Sequence, residues 1–335
     1  MAQISVVIPV FNEAPGIPAL VSRLLRLAAG PGQDTWEFIL VDDHSTDGTQ
    51  TLLRDTCRVH AGFRYLRLSS NCGSHVAILA GLEHARGDCA VFLAADLQDP
   101  PELVPEMLRL WRGGHHVVWA VRERRQGISW MERSLSRIFY WLLIRTGMVR
   151  LPPQGSDFAL LDRKVVDALL RSAGSNPSIG GAIAQLGFFQ AQIPYRKAPR
   201  AAGVSKWTLE KKLRAFADAF VSFTYVPLRF MSYLGILCSL GGFLYAAVVI
   251  GVRLGSDRPV EGWASLMIVV LVLGGVQMTM IGVLGEYLWR TLEAARRRPL
   301  YFAEDSMNLE DEADSPGREM RVAGDAARRA SRSGS

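Results

Sequence analysis

Short apolar runs alternate with stretches of helical spacing along the first 170 residues. Ile4 to Val10 is β-branched and apolar, which predicts a buried strand. Pro15 to Leu27 places Ile17, Leu20, Val21, Leu24 and Leu25 on one helical face. Phe38 to Val41 predicts a second strand. Thr49 to Cys57 follows it as a helix, after a turn-rich segment at 42–49. Phe63 to Leu68 predicts a third strand, Gly73 to Ala85 a helix with small residues on one face, and Cys89 to Ala95 a fourth strand. His116 to Val121 and Phe158 to Leu161 read as later strands, and Val165 to Leu170 as a short helix. Strands alternating with helices predict an α/β domain whose mostly parallel sheet has flanking helices on both faces.

The pattern changes near the C-terminus. Residues 230–252 and 262–285 carry no charge. Each run is roughly 23 residues, enough to cross a hydrocarbon core of about 30 Å. A pair of buried helices in a soluble core is the alternative, but core helices ordinarily keep a polar face. Lys206, Lys211, Lys212, Arg214 and Arg229 precede the first run, and Arg290, Arg296, Arg297 and Arg298 follow the second. The link from Arg253 to Glu261 is nearly balanced. A bias of this kind predicts a transmembrane hairpin over 226–290 with both flanks cytoplasmic.

Ser129 to Arg145 combines Trp130, Leu135, Phe139 and Trp141 with Arg133, Arg137 and Arg145. It predicts an amphipathic helix at a membrane surface (129–145), or else an ordinary helix packed on the sheet. Residues 207–223 have a similar character. From 303 to 335 the chain is polar with mixed charges, and a disordered tail is expected there.

Composition sharpens this picture. The 335-residue chain is 49% hydrophobic and 21% charged, with net charge +6. The basic residues lie beside the apolar runs, so the charge points to a lipid bilayer and not to nucleic acid. Four cysteines (57, 72, 89 and 238) show no CxxC or disulfide spacing, which fits a reducing compartment. Met1 to Val10 lacks the basic start of a signal peptide. GxGxxG, GxxxxGK[ST] and HExxH are absent, which argues against a dinucleotide fold, a P-loop and a zinc protease site.

The candidate chemistry sits where strands end. The apolar run Ala90 to Ala95 gives way to Asp96, Gln98 and Asp99, and then to Pro100 and Pro101. Ligands bind at the C-terminal ends of strands in open α/β sheets. An extended backbone would put Asp96 and Gln98 on one face. One carboxylate and one amide make a sparse site for Mg²⁺ or Mn²⁺, and such a site makes sense only if a diphosphate fills the shell. A capped turn is the simpler alternative. The junction Pro9-Val10-Phe11-Asn12-Glu13 presents backbone and polar groups at the same edge, and the next junction presents Asp42 and Asp43. A carboxylate there can bind a base or ribose; helix capping accounts for one such Asp more readily than for two. Asp47 reads as a cap or turn residue.

Val-Ile-Pro-Val-Phe-Asn-Glu (7–13), Val-Asp-Asp-His-Ser-Thr-Asp-Gly-Thr (41–49) and Ala-Asp-Leu-Gln-Asp-Pro-Pro-Glu (95–102) occur in that order. Together they closely resemble glycosyltransferase family 2, with its GT-A fold. The last motif and the later segments resemble the polyprenyl-phosphate branch, which holds dolichyl-phosphate mannose synthases and bacterial undecaprenyl-phosphate glucosyltransferases. The resemblance runs over about residues 3–295. It implies nucleotide-sugar binding by Pro9, Val10, Asn12, Glu13, Asp42, Asp43, Arg200 and Lys206, and metal ligation by Asp96 and Gln98. It implies lipid-phosphate binding by Arg122, Arg133, Ser136 and Ser205, and places Asp157 near the reacting centre as a catalytic carboxylate beside Asp96. Many relatives carry a further Asp two residues before the metal Asp; this chain has Ala94.

The resemblance implies an inverting transferase. It would move one sugar, UDP-glucose being the favoured donor, from a nucleotide-diphosphate sugar to polyprenyl phosphate. It would lie in a bacterial cytoplasmic membrane, multi-pass, with its active site on the cytoplasmic side. Mannose, galactose, N-acetylhexosamine and aminoarabinose donors stay open, as does a homo-oligomer. A processive polysaccharide synthase would call for more spans and a QxxRW motif, which the chain lacks. A catalytically silent membrane scaffold is the reading that Ala94 favours.

Overall fold

The computed structural model describes residues 1–122, 158–172, 179–196, 226–255, 262–296 and 298–309. The N-terminal elements run β1 (Gln3–Val10), α1 (Ile17–Ala28), β2 (Thr35–Asp42), α2 (Thr49–Val59), β3 (Phe63–Leu68), α3 (Ser74–Glu83) and β4 (Cys89–Phe92). They continue with α4 (Val104–Arg112), β5 (Val117–Arg122), β6 (Ala159–Asp162), α5 (Arg163–Ser172), α6 (Ile179–Gln185) and β7 (Gln190–Tyr195). Two long helices, α7 (Val226–Gly255) and α8 (Trp263–Arg296), precede a last strand, β8 (Ala303–Met307).

The described strands form one sheet of eight in the order β7-β5-β6-β4-β1-β2-β3-β8. β1 pairs in parallel with β2 and β4, and β2 with β3. These four strands are the unit that the alternating pattern foretold. The sheet as a whole is mixed, with most strands running one way and two reversed: β6 is antiparallel to both β4 and β5, and β8 is antiparallel to β3.

β1 is buried on both sides, as a central strand must be. Ile4, Val6, Ile8 and Val10 join one core with α1, α2 and α4. Val7 faces the other, with α3, α5 and α6. Gly81 lets α3 approach β1 closely, since a Cβ there would run into Val7. Near the sheet's other end, Glu37 accepts Ser5 Oγ (2.5 Å) and Arg86 N–H (2.6 Å) and pairs with Arg64 (2.6 Å). Such satisfaction marks the cluster as structural. Gly87 donates to Ser5 Oγ in the same knot (2.8 Å), and a Cβ on it would sit 2.7 Å from Gln3 O and Ser5 N. Gly87→Ala should therefore force backbone apart and lower stability by about 1–3 kcal/mol; a melting temperature equal to wild type would refute this reading.

Two expectations for the C-terminal part meet different outcomes. The disordered tail expected from 303 begins instead with a strand, because β8 finds its partners in the unpaired edge of β3. Among the described residues, no helix is long and apolar enough to cross a membrane. The helices α7 and α8 nonetheless leave many large apolar side chains exposed, among them Tyr233, Leu237, Leu240, Phe243, Leu266 and Met278. The amphipathic segments expected at 129–145 and 207–223 lie outside the described residues.

Candidate active site

Three loops gather at the C-terminal edge of the central strands. Each contains a non-glycine residue in the left-handed region: Asn12 after β1 (φ 52°), His44 after β2 (φ 61°) and Leu97 after β4 (φ 59°). Asn tolerates this conformation, whereas Leu does so at a cost of about 1–2 kcal/mol. Strain of this kind persists where surroundings impose it, and it concentrates at functional sites.

The first two loops are sewn together. Asn12 N–H donates to Ser45 Oγ (2.9 Å), and Asn12 Oδ1 accepts Thr46 N–H (2.8 Å). Glu13 N–H donates to Thr49 Oγ1 (3.1 Å). Asp47 accepts Thr49 N–H (2.9 Å), the turn role expected of it. Pro9 and Val10 close β1 directly beneath this junction.

Asp42 and Asp43 have separate roles. Consecutive residues on a strand point to opposite sides. Asp42 has no exposed surface. Its carboxylate takes Arg67 Nη1 (2.5 Å) and Ser45 N–H (2.8 Å). The expectation that it meets a nucleotide is therefore corrected: it holds the loop from inside. Asp43 accepts Cys72 N–H (2.7 Å) and Gly73 N–H (2.9 Å), and so ties β2 to the loop that opens α3. Burial raises its carboxyl above the ordinary value, against those two N–H groups. Each oxygen keeps a second lone pair for a ligand.

The third loop departs from expectation in shape. β4 stops at Phe92, three residues short of the expected strand end. Asp96 and Gln98 thus share no extended face; they flank the left-handed Leu97 in a turn, where Asp96 Oδ1 accepts Gln98 N–H (3.1 Å). Leu97 buries its side chain in the core, which fixes the turn, and leaves its two neighbours half-buried. Arg23 of α1 braces the loop, donating to Leu97 O (3.3 Å) and pairing with Glu102. Its hydrogen bond holds the Glu102 carboxyl below the usual range.

Arg122, at the end of β5, is brought towards this loop by Tyr195, which the sequence did not single out. β7 pairs with β5 in the register Arg122↔Tyr195. Arg122 Nε lies 3.5 Å from Tyr195 Oη, and Tyr195 O–H donates to the buried Asp99 (2.5 Å). Tyr195 loses its proton less readily than a free tyrosine, because burial and the Asp99 charge both oppose a phenolate. It serves as a donor. A cavity of about 120 Å³ lies beside the loop, lined by Pro9, Ser74, His75, Ile78, Phe92, Ala94, Ile179 and Gly180. Ala94 is one of its walls.

Among the described residues, no group of three His, Cys, Asp or Glu could hold a metal ion. Asp96 and Gln98 supply two hard oxygens and no more. That set fits Mg²⁺ or Mn²⁺ carried on a diphosphate, and fits poorly a cation that needs an all-protein cage. Arg133, Ser136, Asp157, Arg200, Ser205 and Lys206 lie outside the described residues.

The family model described as "Glycosyl transferase family 2" matches residues 5–170. An uncharacterized glycosyltransferase, YkcC, of Bacillus subtilis (strain 168) is 36% identical over 309 residues, 92% of this chain and 95% of the relative. An SfII prophage-derived bactoprenol glucosyl transferase of Shigella flexneri is 32% identical over 304 residues, covering 91% and 98%. An undecaprenyl-phosphate 4-deoxy-4-formamido-L-arabinose transferase of Edwardsiella ictaluri (strain 93-146) is 33% identical over 306 residues, covering 90% and 93%.

Proposed function

The chain belongs to glycosyl transferase family 2, and from that premise we propose that it transfers one sugar from a nucleotide-diphosphate donor to polyprenyl monophosphate. It is a glycosyltransferase; the choice of donor and acceptor is our reading. The observation that carries this reading is the meeting, at one sheet edge, of the Asn12–Ser45 junction, Asp43 and the Asp96–Gln98 turn, with Arg122 linked towards that turn through Tyr195 and Asp99. A base and ribose would lie against Asn12 and Asp43. The diphosphate would lie over Asp96 and Gln98, and an anionic acceptor would approach from Arg122. Glucose is favoured by the bactoprenol glucosyl transferase relative, and a formamido-arabinose is the second reading by the other.

The acceptor explains the sparse acid–base equipment. A phosphate monoester has a second pKa of about 6, so its attacking oxygen is largely anionic at neutral pH. Positioning and charge neutralisation can then supply most of the rate. The new bond joins the anomeric carbon to the acceptor phosphate oxygen, and the bond to the donor diphosphate breaks. In-line attack inverts the anomeric configuration and releases the nucleoside diphosphate. Asp96 and Gln98 would hold a divalent cation, which when bound neutralises the departing diphosphate. Arg122, with Arg133, Ser136 and Ser205, would hold the acceptor phosphate by charge-assisted bonds. Arg200 and Lys206 would face the diphosphate, and Asp157 would orient the acceptor.

A lipid acceptor calls for a site at the bilayer. We read residues 230–252 and 262–285 as membrane spans, with the active site on the cytoplasmic face. Their charge-free runs and the exposed apolar side chains of α7 and α8 support this. The test is a donor panel (UDP-glucose, UDP-N-acetylglucosamine, GDP-mannose and a UDP-linked formamido-arabinose) against undecaprenyl phosphate, with product mass measured. We expect a single sugar added per lipid, with UDP-glucose the best donor. A polymeric product, or no lipid-linked product from any donor, would refute the reading.

A further inference from the structure

β8 comes after the second long helix, yet it is part of the catalytic sheet. Its ladder joins Tyr65↔Met307, Leu66↔Ser306 and Arg67↔Asp305. Further bonds fasten its flanks: Ser69 N–H donates to Phe302 O (2.9 Å), and the Asn308 side-chain amide donates to Cys57 O and Phe63 O (2.9 Å each). Covering the edge of β3 explains the ladder. It does not explain why a charged side chain of β8 reaches under the donor loops.

Glu304 is that side chain. It accepts Arg67 Nε (2.8 Å) and lies 3.4 Å from His44 Nδ1. Arg67, 8% exposed at its side chain, turns its other nitrogens inward. They reach Asp42 and the carbonyl of Ser45, the latter at 3.2 Å. Ser45 in turn receives the N–H of Asn12. An unbroken series of bonds therefore runs from β8 to the first loop of the site. Asp42 alone balances the charge of Arg67, so Glu304 is not needed for neutrality. What it adds is a fixed direction for the guanidinium plane, which has five donors in a rigid fork.

We propose that Glu304 is a positioning residue for donor binding: through Arg67 it holds the Asp42–Ser45–Asn12 turn in its ligand-ready shape. The strand that follows the helical hairpin thereby completes the donor site. This rests on the reading that a nucleoside diphosphate lies against Asn12 and Asp43. The coupling also links the site to α8, whose end at Arg296 is joined to β8 by residues 297–302 alone.

The test uses the full-length protein with Glu304→Ala, Glu304→Gln and Asp305→Asn. Asp305, on the same strand as Glu304, pairs with Arg54 of α2 (3.1 Å) and reports general weakening of β8. Binding of UDP, GDP and dTDP is measured with Mg²⁺ and no acceptor, together with donor and acceptor KM, kcat, melting temperature and amide exchange at Asn12 and Ser45. We expect Glu304→Ala to weaken nucleotide binding and raise donor KM about tenfold, within the usual range for coupled sites. Acceptor KM should stay unchanged, and exchange at Asn12 and Ser45 should quicken. Glu304→Gln, which keeps an acceptor oxygen, should recover most of the loss, and Asp305→Asn should behave as wild type. Nucleotide binding unaltered in Glu304→Ala would overturn this proposal alone. So would a loss shared equally by donor, acceptor and kcat, or matched by Asp305→Asn, since β8 would then be mere scaffolding. A wild-type chain that binds none of the three nucleotides would overturn the donor-site reading and this proposal with it.

Discussion

Asp96→Ala should abolish sugar transfer, with a loss of at least about a thousandfold, while the protein still folds. The reason is the poverty of the turn that carries it. Gln98 offers a neutral oxygen, and among the described residues no carboxylate trio stands ready to take over. Without Asp96, the carboxylate left in this segment is Asp99, which is buried and takes the hydrogen bond of Tyr195, so a cation against the donor diphosphate would lose its charged ligand. The fold should survive because Asp96 is half-buried and the turn is fixed chiefly by Leu97, which sits in the core, and by Arg23. The check is transfer by purified mutant at saturating Mg²⁺ or Mn²⁺, beside its melting curve. Near-normal transfer would remove Asp96 from the metal role; an unfolded mutant would show that the turn is structural.

Arg67→Met should have the largest effect on stability, about 3–5 kcal/mol, by leaving a buried carboxylate without its counter-charge. Asp42 has no exposed surface and cannot recover water. Its remaining bond to Ser45 N–H is too weak to offset a stranded charge. The double variant Arg67→Met/Asp42→Leu should regain much of the lost stability, because an apolar pair of similar volume avoids desolvation altogether. It should not regain donor affinity, since the Ser45 carbonyl loses its donors in both variants. Melting temperatures of the two variants, read against donor binding, separate the contributions. Equal melting temperatures in wild type and Arg67→Met would contradict the assignment.

These two residues illustrate what the sequence carried and what it withheld. The strands β1 and β2 were legible because β-branched apolar runs admit few other structures, and β3 because its short run is rich in aromatic and leucine residues. The edge on which the chemistry sits followed from where those runs stop. The adjacent pair Asp42–Asp43 could not be resolved, since choosing between them requires knowing that β3 brings Arg67 opposite Asp42. Register is a tertiary fact. Leu97 shows a second limit. An extended backbone was expected to carry Asp96 and Gln98 on one face, yet burying Leu97 between them in the core needed a left-handed turn.

Tyr195 and Glu304 were missed for a different reason. β7 reads Gln-Ala-Gln-Ile-Pro-Tyr, and its proline argues against a strand; the structure places it at the sheet edge, where a proline is tolerated. β8 reads Ala-Glu-Asp-Ser-Met, which has no apolar period at all. Its placement depends on the vacant edge of β3 and on partners far away in sequence, such as Arg54 and Arg67. The one signal available was an acidic pair close behind the second helix, in a chain with several arginines on its early strands and helices.

The account stands on a divalent cation held by one carboxylate and one amide at this sheet edge, beside an anionic lipid acceptor. The most direct test is transfer from nucleotide sugar to undecaprenyl phosphate by the full-length protein, first with Mn²⁺ or Mg²⁺ and then in excess EDTA. We predict a mass increase of one sugar on the lipid, lost in chelator and restored when metal is returned. Full-rate transfer in EDTA would contradict it.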